Sequence, residues 1–231
     1  PPHFYDAVSC GGGAMIDLHT HTVFSDGVLI PAELARRAAV AGYRALCFTD
    51  HADESNIVHI LENLRRFVAR SSAFFEINLF AGVELTHVPP ARIADHVARG
   101  RELGADLVVV HGETVVEPVA PGTNLAAIEA GCDVLAHPGM LTEAEARLAA
   151  ERGVALEITT RKGHSLTNGR VAALARQCGA KLVINNDAHE PGDLVSRDLR
   201  RKVALGAGLT DEEREQAEAN ALALVQKMLR A

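Results

Sequence analysis

Seven times along the chain a short apolar run ends in polar or ionisable residues and gives way to a stretch with helical periodicity. Strands linked in this way must lie parallel, because each intervening helix carries the chain back to the end of the sheet where it started. The strands begin at Met15-Ile-Asp-Leu18 and continue with Arg44-Ala-Leu-Cys-Phe-Thr-Asp-His51, Phe75 to Glu84, Asp106-Leu-Val-Val-Val-His111, Asp133-Val-Leu-Ala-His137, Val154-Ala-Leu-Glu-Ile-Thr159 and Lys181-Leu-Val-Ile-Asn-Asn-Asp187. Pro31 opens the first helix and Gly42 closes it; Gly179 closes the helix over Val171, Leu174, Ala175 and Cys178. Thr142 with Glu145, and Thr210 with Glu213, have capping-box spacing. The second of these pairs opens a final helix whose Ala217, Ala221, Leu224, Val225 and Met228 share one face.

Polar residues follow nearly every strand. An open doubly wound sheet collects its ligand groups at one switch point, whereas a closed barrel displays them around a rim. The expected fold is therefore α/β, a seven-stranded (β/α)7 barrel of TIM-barrel-like form with an extra C-terminal helix. The length of 231 residues suits one such domain over residues 15–231. Residues 1–14, ending in Gly11-Gly12-Gly13, contain little that could pack and are expected to be a flexible tail or cloning remnant, so His3 is set aside as a ligand. No glycine-rich phosphate motif stands between a strand and a helix.

Net charge is −7 and no block of basic residues occurs, which argues against membrane surfaces and strong nucleic-acid binding. Cys10, Cys47, Cys132 and Cys178 are scattered, as structural thiols of a reducing compartment would be. With no apolar run long enough to span a bilayer and no secretory start, a cytoplasmic location is expected.

Chemistry enters with the histidines. His19 and His21 lie two apart at the end of the first strand, so both imidazoles point to one side. His51, His111, His137 and His189 also lie at or just past strand ends, joined by Asp50, Glu84 and Asp187. Asp187 and His189 repeat the two-residue spacing, and in a closed barrel the last strand lies beside the first. Imidazoles and carboxylates buried without partners would be costly, and a shared cluster of cations offsets that cost.

The motifs His19-Thr-His21, Ser25-Asp26-Gly27, Thr49-Asp50-His51, Gly82-Val83-Glu84, His111-Gly112, Ala136-His137-Pro138 and Asp187-Ala188-His189 resemble, in order, those of the polymerase and histidinol phosphatase (PHP) family. The resemblance runs from about Met15 to Asp193. It implies a distorted seven-stranded barrel holding two or three divalent ions and acting as a phosphoesterase, most like the histidinol-phosphate phosphatase branch. It also implies one ion held by His19, His21, Glu84 and Asp187, and a second by Glu84, His111 and His137. A third would be held by His51, His189 and Asp26, where some relatives use a histidine one residue later. Asp26 has a competing role as a turn residue before Gly27.

Mixed nitrogen and oxygen ligands suit zinc, manganese or iron, and a water shared between such ions loses its proton near neutral pH. The expected reaction is attack of that hydroxide, bridged at Glu84 with Asp187 and His189 nearby, on the phosphorus of a small phosphate ester. Arg161, Lys162 and His164, after the sixth strand, are the candidates for binding the substrate phosphate. Asp50 is expected to act indirectly, orienting a neighbouring histidine or capping the next helix. His87 is expected in a solvent-facing loop, and His59 and His96 on helix surfaces. Two other readings stand beside this one: a barrel amidohydrolase cutting C–N bonds, and a non-catalytic metal-binding module. Amidohydrolases often bridge two ions with a carboxylated lysine; of the four lysines here only Lys162 is near the rim.

Overall fold

The computed structural model describes residues 15–230; the expected tail, with His3 and Cys10, lies outside the described residues. All strand pairing is parallel. One sheet has the order β1 (Met15–Asp17), β2 (Tyr43–Phe48), β4 (Asn78–Ala81). The second runs β3 (His51–Ala52), β5 (Val83–Leu85), β6 (Val108–His111), β7 (Val134–Ala136), β8 (Ala155–Thr159), β9 (Leu182–Asn185). Helices α1 (Pro31–Val40), α2 (Ile57–Ser71), α3 (Ile93–Glu102), α4 (Thr123–Ala130), α5 (Glu143–Arg152), α6 (Asn168–Cys178), α7 (Arg197–Gly206) and α8 (Asp211–Met228) complete the α/β arrangement.

The expected count of seven strands in one barrel is corrected to nine strands in two sheets among the described residues, because the expected second and third strands are each divided in two. Between β2 and β3, the Thr49 hydroxyl accepts from Thr20 N at 3.0 Å and the Asp50 carboxylate from Thr22 N at 2.7 Å. Those side chains tie the stretch between β2 and β3 to the loop after β1. Between β4 and β5 stands Gly82, where an added Cβ would lie 2.5 Å from the Leu107 carbonyl oxygen.

Strand alternation separates two apolar layers. One face of each strand packs under the helices, with Leu46, Phe48, Leu79, Val108, Leu135, Leu156 and Ile184. The other face points to the centre of the arrangement, where Ile16, Leu18, Ala45, Cys47, Phe80, Val109, Val134 and Val183 meet Ala221, Val225 and Met228 of α8. Helix α8 thus seals the inner layer. Both anticipated capping boxes are present, at Thr142 with Glu145 and at Thr210 with Glu213.

The outer edges of the two sheets meet at β1 and β9, joined by a parallel bridge between Thr20 and Ala188. Side chains supply much of the remaining hydrogen bonding there. Leu18 N donates to Asn185 Oδ1 at 3.0 Å and Asn186 N to Asp17 Oδ1 at 3.1 Å. The buried guanidinium of Arg200, from α7, donates to the carbonyls of Ile16 and Ile184, one on each strand. Its charge opposes the effect of burial on Asp17, which nevertheless is pushed up to about 6.

Candidate metal centre

His19 and His21 follow β1 on a fully buried segment, with ring centroids 5.1 Å apart. The chain then folds back through a turn in which Ser25 N and Gly27 N both donate to the Thr22 carbonyl. A Cβ at position 27 would lie 2.4 Å from the His21 carbonyl oxygen, so only glycine permits this return. Asp50 fastens the turn, accepting from Thr22 N, Thr22 Oγ1 and Ser25 Oγ at 2.7, 2.8 and 2.7 Å. Its indirect role is therefore on the loop before Asp26. It does not bond His51, and α2 begins from Asn56.

Glu84, on β5 and fully buried, is the centre of the cluster. Its Oε1 lies 3.2 Å from His19 Nε2 and 3.7 Å from His137 Nε2. Its Oε2 lies 3.6 Å from His21 Nε2 and 2.8 Å from His51 Nδ1. Asp187 approaches His21 Nε2 at 3.1 Å, His19 Nε2 at 3.6 Å and His137 Nε2 at 3.7 Å. Asp26, 56% exposed, sets Oδ1 3.1 Å from His189 Nε2 and 3.4 Å from His51 Nε2.

Two ligand atoms about 2.1 Å from a tetrahedral ion stand about 3.4 Å apart. Most of these separations are near that value and longer than good hydrogen bonds. Among the described residues, four groups have their ligand atoms within cation-sharing reach: His19, His21 and Glu84; His19, His137 and Asp187; Glu84, His111 and His137; and His21, Asp26, His51 and His189. Buried atoms without a hydrogen-bond partner include His19 Nε2, both ring nitrogens of His21, Glu84 Oε1 and Asp187 Oδ1. Native interiors seldom tolerate such atoms, and divalent cations would satisfy His19 Nε2, one ring nitrogen of His21, Glu84 Oε1 and Asp187 Oδ1. The residues fit a multinuclear metal centre.

Backbone strain is concentrated at the same place. Among the described residues, the non-glycine positions with positive φ are His87 (53°), His137 (25°) and Asp187 (55°). Such conformations cost of order 1–3 kcal/mol each and persist where surrounding structure enforces them.

Burial and neighbouring charges shift the titration of the cluster's groups in both directions. Burial opposes charge on His51, yet Glu84 and Asp26 push it up to about 10. Burial likewise opposes charge on His19, and Glu157, Glu84 and Asp187 outweigh it, holding the ring well above its ordinary value. Burial and the charge of His51 bring His21 down to about 3. Burial works against the Glu84 anion, but His19, His51 and His111 hold it well below the usual carboxylate range.

The candidate phosphate-binding residues are dispersed. Arg161 donates to Asp193 Oδ2 at 2.7 Å, the oxygen that also accepts from His189 N. Lys162 is exposed. His164 is buried, stacked on His137 at 4.2 Å, with Nδ1 2.8 Å from Thr114 Oγ1. His87 is half exposed and stacks on His111 at 5.6 Å. The placement of His96 on a helix surface is corrected: it is buried, its Nδ1 bonded to the Arg92 carbonyl and its Nε2 3.3 Å from Glu54.

Two carboxylates at the centre escape a reading of the sequence. Glu117, in the loop after β6, places one oxygen 3.1 Å from His111 Nε2 and the other 3.4 Å from His164 Nε2. Nothing in Val116-Glu117-Pro118 signals this. Glu157 bonds His19 Nδ1 at 2.8 Å, and its one signal is a carboxylate within the apolar run of β8.

The PHP domain family matches residues 17–103. An uncharacterized protein of Methanocaldococcus jannaschii is 49% identical over 201 residues, covering 86% of this chain and 92% of that relative. A protein of Shewanella sp. (strain MR-4) named as a probable phosphatase is 31% identical over 201 residues, covering 75% of this chain and 76% of its own. Among solved structures, histidinol phosphate phosphatase of Lactococcus lactis, complexed with zinc, L-histidinol and phosphate, has TM-score 0.60 at 17% identity, covering 85% of this chain and 94% of that one. The ochratoxinase of A. niger also has TM-score 0.60, at 14% identity, covering 92% and 71%. At these identities the structural likenesses concern the fold alone.

Proposed function

Because the chain belongs to the PHP domain family, we propose that it is a metal-dependent hydrolase of small phosphate esters, similar in reaction to histidinol-phosphate phosphatases. The observation that carries this reading is the placement of Glu84, each of whose oxygens faces a different pair of histidines. A carboxylate so placed suits two ions held side by side. His19, His21 and Asp187 would complete one ligand set, and His111 with His137 a second. His51, His189 and Asp26 would hold a third, with His21 also in reach.

When bound, two or three zinc, manganese or iron ions supply Lewis acidity and a water deprotonated near neutral pH. The chain's own residues do the rest. Fully buried His19, His21 and Glu84 hold their positions without solvent screening. Asp26 and His189, less buried, form the side of the cluster open to substrate. Arg161 stands beside His189 through Asp193, where a guanidinium can meet a phosphate oxygen. With a net charge of −7 on the chain, the ions of the loaded centre would concentrate positive charge where an anionic substrate binds.

The alternative, a barrel amidohydrolase, would often use a carboxylated lysine as the bridging group. Glu84 fills that place, and Lys162 is an exposed loop residue. The deciding experiment is phosphate release from a panel of monoesters and diesters after metal reconstitution, alongside amide and cyclic-amide substrates. Turnover of phosphomonoesters is expected. Fully loaded protein that leaves every phosphoester intact would reject the proposal.

A further inference from the structure

Strand β8 reads Ala155-Leu-Glu-Ile-Thr159, with one carboxylate in a fully buried run. Glu157 Oε2 accepts from His19 Nδ1 at 2.8 Å and from Asn185 Nδ2 at 2.9 Å. Its Oε1 has no partner. A buried carboxylate with so little compensation is costly, and the positive group beside it is the His19 ring together with any ion that ring holds.

The nitrogen that Glu157 engages is the one turned away from the candidate ligands. On the opposite side of the ring, Nε2 lies 3.2 Å from Glu84 Oε1 and 3.6 Å from Asp187 Oδ1. A carboxylate on Nδ1 keeps the proton there, leaves the Nε2 lone pair for a cation and makes the imidazole a stronger donor. His51 Nδ1 also meets a carboxylate, Glu84 at 2.8 Å, but Glu84 is itself a candidate ligand, and Thr86 Oγ1 shares that nitrogen at 2.6 Å. His111 and His189 set Nδ1 near the carbonyls of Gly112 and Asp187, and Nδ1 of His21 and of His137 has no hydrogen-bond partner. His19 also belongs to two of the four candidate ligand groups, so its orientation affects more than one ion.

We infer that Glu157 is a positioning residue for the metal centre: it fixes the tautomer and ring plane of His19 and, through Asn185, ties that ring to the junction of β1 and β9. This rests on the metal reading given above. Asn185 uses one amide for two purposes, accepting from Leu18 N at 3.0 Å while donating to Glu157. It thereby holds both the backbone that carries His19 and the carboxylate that orients the ring. Glu157 belongs to none of the groups able to share a cation, so it acts through His19 and not as a ligand.

The test uses the purified protein and no substrate. Zinc and Co(II) affinities are measured by competition with a chromophoric chelator, the Co(II) ligand-field spectrum is recorded, and the His19 tautomer is read from imidazole 15N shifts of the zinc form. Glu157→Gln, which keeps an acceptor and removes the charge, is expected to weaken the tightest ion about 10-fold, and Glu157→Leu about 100-fold with a mixed tautomer. Glu157→Asp is expected to recover part of the loss. Unchanged affinity, spectrum and tautomer in Glu157→Leu overturn the inference. Should that variant fail to fold by circular dichroism, the same unchanged readouts in Glu157→Gln overturn it. Glu157-dependent metal binding in a protein that hydrolyses no phosphoester would remove the proposed function and leave this inference standing.

Discussion

His21 Nε2 and Asp187 Oδ1, distant from one another in the chain, stand 3.1 Å apart across the junction where the two sheets meet, one just after β1 and the other just after β9. Neither atom has a hydrogen-bond partner that satisfies it when buried. An ion between them would therefore do two things, complete a ligand set and tie the first strand to the last.

Chelation is expected to lower thermal stability. Ions at 100 times their Kd contribute about 2.7 kcal/mol by mass action, which should appear as a clear drop in Tm by calorimetry. Hydrogen exchange should quicken first at residues 16–21 and 185–189, where side chains replace a continuous ladder. Uniform quickening over all strands would contradict a role for metal at this junction.

Glu84→Gln is expected to abolish bridging. Elemental analysis should show loss of more than one ion, with turnover falling on the order of 100-fold or more. Wild-type metal content in this variant would refute the central place given to Glu84.

For pH, the sign follows from His51. Its value, pushed up to about 10 in the fold, gives the metal-free protein stability that is fully present below the ordinary 6.5 and is lost as pH rises through about 10. Cations need the deprotonated ring, so zinc affinity should rise with pH across the same window and binding should release protons. Titration calorimetry in buffers of different ionisation enthalpy measures that release directly; heats independent of buffer would count against it.

Gly27→Ala places a methyl 2.4 Å from the His21 carbonyl oxygen, so the turn must move. A loss of about 1–3 kcal/mol is expected, with the ion nearest Asp26 depleted more than the others. Denaturant melts and metal stoichiometry read the two effects separately, and unaltered stoichiometry would argue against Asp26 as a ligand.

Arg161→Ala is expected to raise KM for a phosphomonoester about 10-fold, with kcat and metal content nearly unchanged. Because Asp193 holds both Arg161 and His189 N, a fall in metal content would instead assign Arg161 a structural role.

Much of this was legible from one dimension, because the features concerned depend on neighbours in the chain. The helix positions follow from periodicity, and both capping boxes from a spacing of three residues. The nearness of His19 and His21 follows from strand alternation. Gly82 and Thr49-Asp50 read as parts of continuous strands, and there the reading failed. The strands divide where Gly82 packs on Leu107 and where Thr49 and Asp50 bond to Thr20 and Thr22, partners all distant in sequence. His96 was misplaced for the same reason: helical position sets a direction, but only Glu54 and the packing around α3 decide whether that direction meets water.

By itself the sequence determined the alternation of strands and helices, and the kinds of atom available for metal binding. Tertiary structure decided which of those atoms meet, since distances among Glu84, His19, His137 and Asp187 depend on how parallel strands are staggered, and no local pattern encodes that. It also decided the parts played by Glu157 and Glu117. A carboxylate's role follows from the ring nitrogen it faces, and folding brought each of them to its histidine from a distant segment.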